Sequence, residues 1–209
     1  MLKMWGRSNS VNVQKAMWAV GELKLEHTRI DAGGAFGKTK EPKYLAMNPN
    51  GLVPTLEEED GFLLWESNSI VRYLAGKHDK SGVLEPKDAH ARALASQWMD
   101  WQLSVLGPAI TPAFWGLIRT APEKRDAAAI KASQDKTVTA MLMLEGQLGK
   151  THFVAGPAFS YGDIPVGVMC YRYRQLVPGR PKTPNLDRWY EAISKRQAFQ
   201  DHVGSIPLS

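Results

Sequence analysis

Short runs with the length of strands alternate with stretches of helical periodicity along the first part of the chain. The runs with the length of strands are residues 2–5, 27–31, 53–57 and 62–65. Apolar residues at helical spacing lie between the first two runs and again after Glu66. The last two runs flank Glu59-Asp60-Gly61, which favours a hairpin. The order β-α-β, loop, β-β-α predicts an α/β unit with a mixed sheet over residues 1–79.

The rest of the chain contains helical periodicity and few strand signals. A segment with Gly and Pro at residues 80–87 predicts a linker. The stretches that predict helices are residues 88–118, 123–148, 160–176 and 185–195. Pro108 and Pro112 are expected to bend or break the first of them. A run of helices predicts an all-α helical bundle over residues 88–209.

Composition places the chain among ordinary globular proteins. Of its 209 residues 44% are apolar and 22% charged, and 26 basic against 21 acidic residues give a net charge of +5. The two signs are interspersed, which argues against a nucleic-acid partner. No apolar run approaches the ~18 residues of a membrane span, and Arg7 comes too early for a secretory signal. We therefore expect a cytoplasmic protein without a membrane partner.

The chain lacks the residues that several enzyme classes require. The single cysteine, Cys170, excludes an intrachain disulfide and a Cys-x-x-Cys motif. The five histidines fall in no ligand spacing such as His-x-x-x-His, so we expect no metal site. The Gly-x-Ser-x-Gly motif of serine hydrolases is absent as well.

Two segments, in this order, form a specific combination. Residues 48–56 are Asn-Pro-Asn-Gly-Leu-Val-Pro-Thr-Leu, and residues 66–74 are Glu-Ser-Asn-Ser-Ile-Val-Arg-Tyr-Leu. With an α/β unit before a helical one, the chain resembles the cytosolic glutathione transferases over essentially its whole length. The resemblance implies a thioredoxin-like glutathione-binding domain at 1–79, followed by an all-helical domain at 88–209 that forms the acceptor pocket.

The resemblance assigns the two segments to the backbone of glutathione. It implies a cis peptide bond between Val53 and Pro54, which leaves the Val53 backbone free to pair with the cysteinyl residue of the ligand. Glu66 would face the α-ammonium group of the ligand. Ser67 and the start of its helix would bind the γ-glutamyl carboxylate. Without the resemblance, Ser67 reads equally well as an ordinary helix cap.

The junction between the first strand and the first helix, residues 7–13, is where the resemblance places the chemistry. In serine-type transferases a hydroxyl at this junction donates to the sulfur of glutathione, and Ser10 matches that position best. Asn12 is the second choice and Ser8 the third. Any one of these residues also fits a simple helix cap. The junction has no Tyr and no Cys, unlike the tyrosine-type and cysteine-type classes.

Other predicted residues lie farther along the chain. Lys38 or Thr39 would reach the glycyl carboxylate, although a solvated lysine fits equally well. Trp115 and Arg119 are candidates for the acceptor pocket. Ser160 and Asp163 resemble the capping box that begins a helix in the second domain, which is a folding element.

Three functions compatible with these residues remain open. The first is a glutathione transferase that adds the glutathione thiolate to an electrophilic, apolar acceptor, with glutathione as co-substrate and no other cofactor. The second is a glutathione-dependent disulfide reductase or peroxidase, whose redox thiols would come from bound glutathione. The third is a non-catalytic ligand-binding member of the fold. The resemblance also implies a homodimer.

Overall fold

The structure, a computed structural model, describes residues 1–209 as two compact units. The first contains Met1–Glu85 and Gln197–Ile206, and the second contains Pro86–Arg196 and Pro207–Ser209. This differs from the predicted domains, because residues 197–206 belong to the first unit instead of the helical one. Their hydrophobic anchor is Phe199, whose ring meets that of Trp18 edge to face at a centroid distance of 5.0 Å.

The predicted linker at 80–87 is largely part of the first unit, which extends to Glu85. The Asp79 carboxylate accepts hydrogen bonds from the backbone N–H groups of Gly82, Leu84 and Glu85 at 2.8, 2.6 and 2.8 Å. Burial raises the pKa of Asp79, but the backbone hydrogen bonds from Glu85 and Leu84 outweigh it and lower the pKa to about 2. The segment is therefore tied to the end of the preceding helix.

A four-stranded mixed sheet forms the centre of the first unit. Its strands are β1 (Leu2–Trp5), β2 (His27–Ile30), β3 (Thr55–Glu57) and β4 (Leu63–Trp65). The order across the sheet is β2-β1-β3-β4, with β1 parallel to β2 and the other two pairs antiparallel. Met4 lies opposite Leu56, and both are fully buried. The predicted mixed sheet and its hairpin are confirmed.

The helices of the first unit are α1 (Val11–Glu22), α2 (Pro42–Met47) and α3 (Ser67–His78). Helices α1 and α3 pack on each other, and both contain fully buried apolar residues, such as Val20 in α1 and Leu74 in α3. Helix α2 was not predicted, because six residues are too few to show helical periodicity and only Tyr44 among them is buried. The short α9 (Gln197–Phe199) and a π-helical segment, Gln200–Gly204, complete the unit.

The second unit contains helices and no strand, as predicted. Its helices are α4 (Ala89–Trp101), α5 (Gly107–Phe114), α6 (Ala127–Leu148), α7 (Asp163–Leu176) and α8 (Pro184–Ser194). Two π-helical segments, Gln102–Leu106 and Trp115–Arg119, flank α5. Pro108 and Pro112 both lie within α5, so neither breaks the helix; the departures from α-helical geometry are the two π-helical segments on either side of it. No helix of the chain is both long and apolar enough to span a membrane.

Two predicted helix starts are wrong. The helix expected from residue 123 begins at Ala127, because Pro122–Lys124 forms a 3₁₀ turn and Asp126 is the N-cap, accepting from the Ala129 N–H at 2.9 Å. The helix expected from Ser160 begins at Asp163. In both cases the chain makes one additional turn before the α-helix starts.

Candidate functional site

Ser10 is the N-cap of α1, and its hydroxyl makes no capping hydrogen bond. The backbone there is extended, and the Ser10 N–H donates to the carbonyl of Arg7 at 3.2 Å. Only 7% of Ser10 is exposed, whereas Ser8 is exposed and Asn12 is half-buried in the first turn of the helix. A helix start whose hydroxyl is not used by its own backbone retains a donor for another partner.

The loop before β3 carries the Val53–Pro54 peptide bond, which is cis. Strand pairing begins only at Thr55, which lies opposite Trp5 and Trp65. Val53 is therefore outside the hydrogen-bond ladder of the sheet, half-buried beside a buried Pro54. No hydrogen bond of the sheet uses its backbone, which is what the addition of an extended peptide as a further strand requires.

A buried polar network anchors this loop to α2. The Tyr44 hydroxyl donates to the Leu52 carbonyl at 2.7 Å, and the Asn48 side-chain amide donates to the same carbonyl at 3.0 Å. Both side chains also contact the Thr55 hydroxyl, at 2.9 Å from Tyr44 and 3.2 Å from Asn48. Burial raises the pKa of Tyr44, so its hydroxyl is protonated at neutral pH.

Glu66 and Ser67 form the start of α3. Glu66 is the N-cap at a φ of 71°, a left-handed conformation that is uncommon for a residue with a side chain, and its carboxylate does not cap the helix. Glu66 is exposed, whereas Ser67 is the first helical residue and only 3% exposed. The exposed carboxylate and the N–H groups of the first turn thus offer an acceptor and a set of donors side by side.

These elements surround one small cleft of the first unit. The residues that line it are Asn12, Asn48, Asn50, Leu52, Val53, Pro54, Glu66 and Ser67. The fold therefore brings together five predicted site residues that are far apart in sequence. Ser10 does not line the cleft itself but lies two residues before Asn12, which does. A wider surface cleft beside Met1, Glu58 and His78 contains none of the predicted residues.

Three lining residues had no predicted role of their own, because they were noted only as part of the sequence motif: Asn48, Asn50 and Leu52. The Asn48 carbonyl oxygen of the side chain accepts from both the backbone and side-chain N–H groups of Asn50 at 3.1 Å. An Asn two residues before another Asn and a Gly is a turn signature that indicates this kind of bond.

Lys38 and Thr39 do not line the cleft. The Lys38 ammonium group donates to the Asp31 carbonyl at 2.9 Å, and its φ of 67° places it in a left-handed turn. The Thr39 N–H donates to the Gly37 carbonyl at 2.9 Å. Both residues belong to the loop after β2, and in this structure their polar groups contact the loop itself.

Trp115 and Arg119 lie in the second unit, at the two ends of one π-helical segment. Trp115 is 58% exposed. The Arg119 guanidinium donates to the carbonyl oxygen of Ser209 and lies 5.7 Å from the ring centroid of Phe114. Arg172 lies closer to the same ring, at 4.0 Å. Arg119 is therefore engaged within its own unit, and Trp115 is the more accessible of the two predicted residues.

The chain supplies no reactive sulfur. Cys170 is buried in α7, and burial raises the pKa of its thiol to about 12. The thiol is therefore protonated at neutral pH and inaccessible. No group of three or more His, Cys, Asp or Glu side chains is arranged to hold a metal ion.

Comparison with known proteins identifies the family. Residues 9–77 match the family model described as "Glutathione S-transferase, N-terminal domain", and residues 99–197 match the corresponding C-terminal domain. The chain is 40% identical to the glutathione S-transferase GstB of Escherichia coli strain K12, covering 100% of both chains, and 30% identical to glutathione S-transferase 3 of Zea mays, covering 99% of this chain and 95% of the maize protein.

A solved structure is similar over the same length. The theta class glutathione S-transferase of the citrus canker pathogen Xanthomonas axonopodis pv. citri, with glutathione bound, superposes with a TM-score of 0.94 at 38% identity, covering 100% of this chain and 99% of the other. Both halves of the chain and its complete length thus agree with one family. The chain belongs to the glutathione S-transferase family.

Proposed function

We propose that the protein is a glutathione transferase, which binds glutathione in the cleft of the first unit and adds its thiolate to an electrophilic, apolar acceptor. The observation that carries this proposal is the convergence of Asn12, Val53, Pro54, Glu66 and Ser67 on one cleft. Membership of the family and the glutathione bound to the similar Xanthomonas protein support the choice of ligand.

Glutathione is a zwitterionic peptide, and the groups around the cleft match its parts. The exposed Glu66 carboxylate suits the α-ammonium group, and the α-carboxylate is favoured by the Ser67 hydroxyl and the N-terminal N–H groups of α3, a helix of 12 residues. The cysteinyl residue would pair with the Val53 backbone. Lys38 and Thr39 remain our candidates for the glycyl carboxylate, and binding there would require Lys38 to leave the Asp31 carbonyl.

The thiol must be activated, because a free thiol with a pKa of ~8.5 is only a few per cent thiolate at pH 7. Lowering this pKa by ~2 units requires ~2.7 kcal/mol of preference for the anion. A hydrogen bond to a charged partner supplies ~1.5–3 kcal/mol. Ser10 has a hydroxyl that caps nothing, and Asn12 faces the cleft, so the two together are sufficient. In this role Ser10 stabilises an anion and is not a base.

The second unit would contribute the acceptor contacts. Trp115 is the better candidate because its ring is largely exposed, whereas Arg119 already contacts Ser209 and Phe114. Exposed apolar side chains favour an apolar acceptor.

We also propose that the protein is a cytoplasmic homodimer. The sedimentation velocity of the purified chain tests the oligomeric state.

Turnover with three acceptor classes tests the proposed activity. Turnover of an aryl halide, an organic peroxide and a mixed disulfide of glutathione is measured for wild type, Ser10→Ala and Asn12→Ala. We expect wild type to conjugate the aryl halide and Ser10→Ala to do so up to about 25-fold more slowly at pH 7, because the thiolate fraction is roughly three quarters at a thiol pKa of ~6.5 and only about 3% at ~8.5. Turnover of the peroxide or disulfide alone would establish the reductase instead. Glutathione binding without any turnover would establish a non-catalytic protein.

A further inference from the structure

The peptide bond between Leu52 and Val53 is held from one side by two buried donors. The Tyr44 hydroxyl and the Asn48 side-chain amide both donate to the Leu52 carbonyl oxygen, at 2.7 and 3.0 Å. We refer to Tyr44 and Asn48 as the Leu52 donor pair. Both donor side chains are 2% exposed, whereas Leu52 is 63% exposed, so the two bonds run from buried donors to a carbonyl at the edge of the core. Two donors on one carbonyl oxygen fix its direction.

The geometry of a trans peptide transmits this constraint to Val53. Val53–Pro54 is the chain's cis bond, so the Leu52–Val53 bond is trans, and its C=O and N–H point in opposite directions within one plane. Fixing the Leu52 carbonyl towards α2 therefore turns the Val53 N–H away from α2. That N–H belongs to the residue that lines the cleft and is proposed to pair with the cysteinyl backbone.

The donor pair is itself held in place. The Tyr44 ring packs edge to face against Trp5 of β1, with the centroids 6.2 Å apart. The Thr55 hydroxyl contacts both donors, and the Asn48 side-chain oxygen accepts from Asn50. Tyr44 and Thr55 do not line the cleft, so neither contacts a ligand there directly.

We infer that Tyr44 and Asn48 are positioning residues for glutathione, which set the direction of the Val53 N–H through the Leu52 carbonyl. This inference rests on the proposed function, since it concerns the same ligand. It assigns a role to a side chain outside the cleft: the Tyr44 hydroxyl acts on glutathione affinity without contacting glutathione.

Tyr44→Phe tests the inference with a minimal change, because Phe fills the same volume and lacks only the hydroxyl. We expect the Kd for glutathione, measured by calorimetry, to rise about 2- to 10-fold, the effect of one lost hydrogen bond. The Kd for S-methylglutathione, which has no thiol, should rise by the same factor. The pKa of the bound thiol and kcat at saturating glutathione should stay at their wild-type values, while KM for glutathione rises.

Two further variants separate positioning from a general loss of stability. Tyr73→Phe removes a hydroxyl of the first unit that donates to Glu58, away from the cleft, and should leave the Kd unchanged. Thr55→Val removes the shared contact but leaves both donors on Leu52, so its Kd should rise less than that of Tyr44→Phe. An equal rise in Tyr73→Phe would overturn the inference.

Binding data also distinguish this inference from the proposed function. If wild type binds glutathione and Tyr44→Phe binds both ligands with wild-type affinity, the donor pair has no positioning role and the proposed function stands. If wild type binds neither glutathione nor S-methylglutathione, the proposed function fails and this inference fails with it. A larger rise for glutathione than for S-methylglutathione would place the effect at the thiol and contradict positioning through Val53.

Discussion

Helices α1 and α7 both follow a serine, yet the two serines are used in opposite ways. The Ser160 N–H donates to the Asp163 carboxylate at 2.9 Å, and the Ser160 hydroxyl accepts from the Gly162 N–H at 3.3 Å. The predicted return bond from Asp163 is thus confirmed. The Ser160 hydroxyl also donates to the Asp163 carboxylate at 3.4 Å, and the helix starts at Asp163 instead of Ser160. The Ser10 hydroxyl, in contrast, makes no capping bond.

The difference follows from the residue three positions after each serine. Asp163 accepts from Ser160 and, through its other oxygen, from the Val154 N–H at 3.0 Å and the Trp189 indole at 2.8 Å. Three residues after Ser10 the chain has Val13, and the first turn of α1 contains no acidic side chain. The start of α7 is internally satisfied, while the start of α1 keeps its positive end for an anion.

The largest effect on stability is expected for Asp163→Asn. An amide has one acceptor oxygen, so its NH₂ group would oppose the Ser160 N–H in a fully buried position. We expect the free energy of unfolding, measured in urea at pH 7.5, to fall by about 2–4 kcal/mol. An unchanged free energy would contradict the view that this cap is structural. Asp163 does not line the cleft of the first unit, so glutathione should still bind to the folded fraction.

The same residue gives the stability a specific pH dependence. Burial raises the pKa of Asp163 from 3.8 to about 6, against hydrogen bonds from Val154, Trp189 and Ser160 that lower it. The folded state therefore binds more protons than the unfolded state between these two values. The contribution of this group to stability falls as the pH rises from about 4 to about 6 and is constant above. Subtracting the Asp163→Asn profile from that of wild type should isolate this slope.

Glu66→Gln tests the ligand-binding side of the comparison. The substitution keeps the shape of the side chain and removes the charge that would face the ammonium group of glutathione. Because Glu66 is exposed, we expect the Kd for glutathione to rise only about 10-fold, near the lower end for a charge-assisted hydrogen bond. Glu59→Gln, an exposed carboxylate outside the cleft, is the matched control and should leave the Kd unchanged.

The two serines themselves provide the smallest contrast. Ser160→Ala should lower the free energy of unfolding by about 1 kcal/mol, since its hydroxyl bonds to the Gly162 N–H. Ser10→Ala should change it by less than about 0.5 kcal/mol, because no capping bond is lost. A larger loss of stability in Ser10→Ala than in Ser160→Ala would reverse the assignment of the structural and the functional serine.

Features that depend on local sequence pattern were predicted from the sequence. Features that depend on contacts between residues distant in the sequence were not. The hairpin around Gly61 follows from turn chemistry. Periodicity predicts helix α1 but not the extent of its burial, because residues 13–20 are all buried, Gln14 and Lys15 included. The placement of Phe199 in the first unit depends on its contact with Trp18, which is distant in sequence. The bonds of Tyr44 and Asn48 to one carbonyl likewise leave no periodic signal, because α2 is short and its one buried residue has no pattern around it.

The pKa of the glutathione thiol bound to the wild-type protein tests the central claim most directly. Thiolate absorbance in the ultraviolet is titrated against pH for wild type, Ser10→Ala and Asn12→Ala, each saturated with glutathione. We predict a wild-type value about 2 units below the ~8.5 of a free thiol, and a return towards that value in Ser10→Ala. An unshifted pKa in wild type would contradict thiolate activation, and a return in Asn12→Ala alone would contradict the role of Ser10.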